Sequence, residues 1–376
     1  MSRSHSYIGV DLGGPVVRAV QLMHGPAGRL RVGAWASFPA INRAGARAED
    51  EFGRLAGALL RRGFVGEKLA LCLPDDRLQT AVLQLPPPSS GAPLLDLARA
   101  ELATLYKYDP ALIQVAMWVL PAMARQGSGP AQCLALAALH EQTDSLSAAA
   151  ASAGLSVYSI EPRPAMLARA ASMQKPAGDG VGLSDSATVI VHIGQSHAQL
   201  IVARGTQLLH HTPMEGCETA GIALPARKAL RIDSQQTDTA LAEMLKARPE
   251  GESKTAAGVE ASARRAIESI LDQHAMRVAT CIRGSFDYLA HRFPAVPRGG
   301  LVLAGDLTLT PGLAAKLAPR VGADVSHIAC PCAGLEHEPD AHAAFASALG
   351  AALGSARRGQ FVHAPQAVRV KSGAAA

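Results

Sequence analysis

The residues of this chain best placed to do chemistry lie in one stretch near its start, YIGVDLGGPVVRAVQL, at 7–22. Asp11 stands at the mouth of a turn made by Gly13 and Gly14, and Arg18 follows four residues later. A Gly pair lets backbone N–H groups approach an anion closely. A carboxylate beside such a turn can hold a hydrated Mg²⁺ on phosphates. The same pattern also fits a plain hairpin turn. Ile8 and Val10 before the turn, and Val16, Val17, Ala19 and Val20 after it, read as two strands that would position these groups.

A second hairpin of the same design occupies 187–205, ATVIVHIGQSHAQLIVARG, with Gly194, Gln195 and Ser196 at its bend. A third glycine turn, GLVLAGDLTLTPG, places Gly305 between a strand and a helix-prone stretch. Gly216 and Thr219 open a further helix. Free N–H groups there suit an anion, and simple capping by Thr219 or Glu218 is the equal alternative. Cys330 and Cys332 with His327 and His337 lack zinc-site spacing, so no metal is assigned to them.

With 376 residues, the chain is too long for one ordinary core and predicts two lobes. Hydrophobic residues make up 48% but aromatic ones only 4%, so the core must be built from Ala, Leu and Val. The net charge of +5 is spread along the chain without aromatic interleaving, which argues against nucleic-acid binding. Six cysteines, most of them in apolar strands or helices and without framework spacing, fit a reducing compartment. No apolar run reaches bilayer length and no secretory signal is visible, so a cytoplasmic protein is expected.

The pattern predicts strands over 30–38, 68–73, 77–85, 114–120, 131–139, 155–161, 210–214 and 301–303. Helices are expected over 46–62, with Phe52, Leu55, Leu59 and Leu60 as its stripe, and over 92–105, 140–153, 164–173, 216–230 and 238–246. A long amphipathic helix is expected over 258–293 and an Ala-rich one over 343–353. In the long helix, His274 and His291 read as solvated or capping residues. The strands at 114–120, 131–139 and 155–161, with the helix at 140–153, are expected to form an inserted small sheet. The segments 176–185 and 248–257 read as loops.

The order hairpin, hairpin, strand–Gly–helix is that of the actin-like ATPase superfamily. Taken with LALCLPDDRLQTAVLQLP, LALAALHEQTDSLSAAAASAGLSVYSIEP, IRGSFDYLAHRF and HAAFASALGAAL, the chain resembles the PilM family of type IV pilus assembly proteins, related to FtsA, over about 7–355. The resemblance implies an α/β, two-lobed actin-like (ribonuclease H-like) fold with an inserted FtsA-type α+β subdomain. It implies a first lobe at 1–83 and 160–178, the insert at 84–159, a second lobe at 179–355 and a flexible tail at 356–376. It further implies ATP with Mg²⁺ in the cleft, and docking of the cytoplasmic N-terminal peptide of a PilN-like single-span inner-membrane protein. The chain would then be peripheral at the inner membrane through that partner, with self-association open.

Carried over residue by residue, Asp11, Gly13, Gly14 and Arg18 match the first phosphate hairpin, with Asp11 as the Mg²⁺ ligand. Gly194, Gln195 and Ser196 match the second, Gly216 an adjoining turn, and Gly305 the adenosine turn. Glu243 and Lys246 match the helix lining the adenosine side. Three departures weaken ATPase chemistry. His192 stands where the superfamily has an Asp facing Mg²⁺ and the attacking water. Ala304 and Cys217 each replace a common Gly. A nucleotide-binding or nucleotide-independent scaffold with degenerate ATPase motifs is therefore expected. The alternatives are an active ATPase or a small-molecule kinase of the same superfold. A kinase needs a base Asp, and only Asp75 and Asp76 after Pro74 stand in a suitable context. They read as turn residues. A type II secretion relative is a third idea, but such proteins carry a membrane span.

Overall fold

The computed structural model describes residues 4–25, 29–41, 47–73, 75–121, 129–173, 186–230, 259–294, 296, 298–306, 312–329, 339–358 and 361–363. In chain order its elements begin with β1 (Ser4–Ser6), β2 (Ile8–Asp11), β3 (Val16–His24), β4 (Leu30–Pro39), α1 (Ala48–Arg61), β5 (Lys68–Leu73) and β6 (Gln79–Leu85). Then come α2 (Leu94–Tyr106), β7 (Ile113–Val119), β8 (Ala131–Leu139), α3 (His140–Ser152), β9 (Ser156–Pro162) and α4 (Arg163–Ala171). The second half holds β10 (Ala187–Ile193), β11 (Ala198–Arg204), β12 (Gln207–Pro213), α5 (Ala220–Leu230) and α6 (Val259–Arg292). It closes with β13 (Arg298–Ala304), α7 (Leu313–Val321), β14 (Val325–His327), α8 (Pro339–Arg357) and β15 (Phe361–His363).

The first sheet grows from the hairpin of β2 and β3. β4 adds antiparallel to β3, while β5 adds parallel to β2 and β9 parallel to β5. β5, KLALCL, is buried at five of its six positions because the sheet is covered on both faces there. The register sets Asp11 opposite Cys72, and Cys72 opposite Glu161. The carboxyl ends of the three parallel strands therefore lie side by side.

The second sheet runs β12–β11–β10–β13–β14, with β10, β13 and β14 parallel. The small third sheet runs β6–β8–β7. Its third strand is β6. The strand expected to complete it, β9, instead pairs with β5 in the first sheet, because its six register partners on β5 keep it parallel at that edge. Part of the expected tail is also ordered: β15 pairs antiparallel with β1.

Helix burial follows the apolar stripes with two corrections. Phe52, Leu55 and Leu59 of α1 are buried, but Leu60 is 51% exposed, one 100° step past the buried face. In α6, Ile267, Ile270, Leu271, Val278 and Ile282 are buried as the spacing predicts. His274 is not solvated: it lies fully buried among them.

α4 and α8 lie between the two large sheets. One continuous apolar cluster joins Leu167, Ala168, Ala346 and Leu349 on these helices to Val189, Ile201 and Leu303 of the second sheet and to Val20 and Leu22 of the first. The lobes thus share core rather than merely facing each other. The expected helix at 238–246, with Glu243 and Lys246, lies outside the described residues, as do the loops at 176–185 and 248–257 and Cys330 and Cys332. Among the described residues no helix is long and apolar enough to cross a membrane.

Candidate functional site

Strand ends position the site. Asp11 is the last residue of β2, Asp75 opens a short turn after β5, and Arg163 is the first residue of α4 after β9. Because β2, β5 and β9 are parallel neighbours, all three residues lie at the carboxyl ends of their strands, the usual place for a site in such sheets. From the second lobe, β10 brings His192 and the Gly194 bend, and its parallel neighbour β13 brings Gly305 and Asp306. Asp11, Gly13, Gly14, Arg18, Gly194, Gln195 and Gly305 line one shared crevice. The two glycine hairpins therefore do face each other, as their resemblance implied.

An arginine fills the centre of that crevice. The Arg163 Nη1 donates to Asp11 Oδ2 at 2.8 Å, and Nη2 donates to Oδ1 at 3.1 Å. Its Nε lies 2.9 Å from Asp75 Oδ2. Its side chain is only 4% exposed. Asp11 Oδ1 also accepts the Gly13 amide at 2.9 Å. A Cβ on Gly13 would sit 1.9 Å from Arg163 Nη2, so a side chain there would displace the guanidinium from Asp11. Pro162 and Pro164 flank Arg163. They end the strand and start the helix. A cation at a helix N-terminus is disfavoured by the helix dipole, so the two carboxylates must offset that cost.

The electrostatics follow from burial and this one cation. Burial opposes ionisation of Asp11, but Arg163, the Gly13 amide, His192 and Arg18 together hold its carboxyl below the ordinary value. At Asp75, burial wins over Arg163 and the pKa is raised. Burial, then the Arg163 charge, pushes His192 down to about 3, so the imidazole is neutral near pH 7. His192 Nε2 lies 3.4 Å from Arg163 Nη1. As Nη1 is a donor, Nε2 accepts and the proton sits on Nδ1, which is buried without a hydrogen-bond partner.

Arg18 crosses the crevice and pairs through Nη2 with Asp306 Oδ1 on the other lobe. It also lies over the Phe345 ring, 5.9 Å from its centroid. The phosphate-binding cation expected here is thus engaged in an interlobe ion pair. Gly305 has φ +92°, and a Cβ would meet the Ile193 carbonyl oxygen at 2.5 Å, so this position demands glycine.

At the helix opening near Gly216 the first polar groups bond to the second hairpin. The Thr219 amide and hydroxyl both donate to the Gly194 carbonyl at 3.0 Å, and the Ala220 amide donates to Gln195 O at 3.2 Å. These N–H groups hold the second hairpin rather than facing an anion. Gly216 and Ser196 do not line the crevice.

ATP with Mg²⁺ does not fit this arrangement. The Asp11 carboxylate is already paired at both oxygens, and the bare face of Gly13 is covered by a guanidinium. The void left at the crevice is about 20 Å³, room for about one water and not for a triphosphate. Arg163 is not singled out by the sequence pattern, and Asp75 reads there as a turn residue. The signal available was a lone cation between two prolines at the end of a strand parallel to the one that ends in Asp11. It becomes readable only once β9 is known to share a sheet with β2.

No protein-family model and no curated protein matches the sequence. Solved structures do. The PilM–PilN type IV pilus biogenesis complex is matched with a TM-score of 0.71 at 16% identity, over 93% of this chain and 98% of that one. The ethanolamine utilization protein EutJ from Carboxydothermus hydrogenoformans is matched with a TM-score of 0.53 at 14% identity, over 93% and 89%. At these identities the likeness is one of fold. The chain has the two-lobed actin-like fold with an inserted α+β subdomain, in a form similar to PilM in its complex with PilN.

Proposed function

We propose that this chain is a docking scaffold of type IV pilus assembly, peripheral at the inner membrane, which takes the cytoplasmic N-terminal peptide of a PilN-like single-span protein. The observation that carries the reading is the full-length likeness in fold to the PilM–PilN complex. The groove between the first lobe and the insert is the proposed seat. An extended peptide there would add backbone hydrogen bonds and fill apolar pockets. The insert supports this reading with exposed apolar side chains: Val82, Leu95, Leu105 and Leu112 are each 45% exposed or more.

The reading does not require ATP turnover. A water-positioning carboxylate is replaced by neutral His192, and Asp11 is held by Arg163. A small-molecule kinase needs a carboxylate base free to accept a proton. Asp11 and Asp75 are both committed to the same guanidinium, which disfavours that alternative.

The test is fluorescence anisotropy with a labelled peptide copying the cytoplasmic N-terminus of a PilN-like single-span protein. Saturable binding, weakened by Val82→Asp, is expected. A flat titration with the wild-type protein would sink the reading.

A further inference from the structure

We infer that Arg163 is a resident cation that takes the place of magnesium nucleotide in the cleft of this chain. In an actin-like cleft, the carboxylate beside the first glycine turn and the charges opposite it need a counter-charge between the lobes. Here the chain supplies it from its own side chain. The guanidinium bridges Asp11 and Asp75 within the first lobe, on the floor of the crevice, and Arg18 reaches over to Asp306 of the second lobe.

Three further observations support this inference. The Arg163 anchor is rigid: α4 is buried along almost its whole length, and Gly350 of α8 packs on the Met166 carbonyl one turn from Arg163. The Arg163 Nη1 also lies 3.4 Å from Ser347 Oγ on α8, so the group is held from a third element. Three carboxylates against two guanidinium groups leave the crevice with a net negative charge, which disfavours a triphosphate. An arginine cannot be neutralised to step aside, because it keeps its proton throughout the accessible pH range.

This inference concerns the cleft alone and stands or falls separately from peptide docking. It is tested on the purified full-length chain by titrating a fluorescent ATP analogue with Mg²⁺, and by thermal unfolding with Mg²⁺ alone and with Mg²⁺ and ATP. For the wild type, no saturable binding is expected up to about 1 mM nucleotide, with an unchanged unfolding midpoint. Arg163→Ala leaves Asp11 and Asp75 without a counter-charge. That variant is expected to gain stability from Mg²⁺ alone, a gain the wild type does not show. Saturable Mg²⁺-dependent nucleotide binding by the wild type overturns the inference, as does a folded Arg163→Ala variant indifferent to Mg²⁺. Should that variant fail to fold, the wild-type titration decides alone.

Discussion

Gly350 on α8 packs against the Met166 carbonyl of α4 so closely that a Cβ on Gly350 would lie 2.0 Å from that oxygen. This contact fixes how near the two interlobe helices come, and α4 starts with Arg163. Gly350→Ala must therefore push the helices apart and disturb both the shared core and the crevice. The expected loss is about 2–3 kcal/mol, the upper part of the range for overpacking a rigid contact. Urea unfolding checks it. A loss below about 1 kcal/mol would show that the helices can separate cheaply.

Breaking the buried ion pair is expected to cost more than the pair itself is worth. Arg163→Met leaves Asp11 and Asp75 uncompensated in a buried site, and about 3–5 kcal/mol is expected to be lost. Adding Asp11→Asn removes one orphaned charge, so the double variant should be more stable than the sum of the two single losses. A double-mutant cycle by chemical denaturation measures this. Additive losses would mean that the contact carries little coupling.

The Arg18–Asp306 pair, which does join the lobes, should behave differently, because it is partly wet. Arg18 is 12% exposed and Asp306 is 38% exposed at the side chain. Solvent screening limits the expected cost of Asp306→Asn to about 1 kcal/mol. Burial already raises the Asp306 pKa despite Arg18, which works in the same direction. The difference between wild type and variant should shrink between about 0.05 M and 0.5 M salt. A salt-independent difference would point to packing over Phe345 instead.

Acid should destabilise this protein earlier than its carboxylates alone would. His192 sits near 3 in the folded chain, and burial holds His274 near 4. The ordinary histidine value of about 6.5 applies when unfolded. Between those values the unfolded chain binds more protons, so stability is full above about pH 6.5 and is lost as the pH falls. For His192 alone the loss from pH 6.5 to 5 is about 2 kcal/mol. Thermal unfolding of the wild type and of His192→Asn across this range is the check. The variant should show the shallower decline, and parallel curves would remove His192 from the account.

Local pattern carried much of the architecture. Gly13 and Gly14 between Val10 and Val16, and Gly194 between Ile193 and Ala198, are legible as hairpins because turn chemistry and strand alternation are properties of neighbours in sequence. The helical stripe of α6 was equally plain, since 3.6-residue spacing needs no knowledge of the partner surface. Leu60 and His274 show where that reading stops. Spacing alone did not tell which side of a stripe meets another element.

What the sequence by itself determined was the order of turns, strands and helices, and with it the two-lobed fold and the departure at His192. Only the tertiary structure decided what fills the cleft. Asp11, Asp75 and Arg163 are separated by long stretches of chain, and their meeting depends on β2, β5 and β9 lying parallel and side by side. Strand pairing between distant segments is set by which edges and faces bury together, and no local pattern encodes it. For the same reason Arg18, legible as a phosphate ligand, became an interlobe tie once the opposite lobe placed Asp306 within its reach.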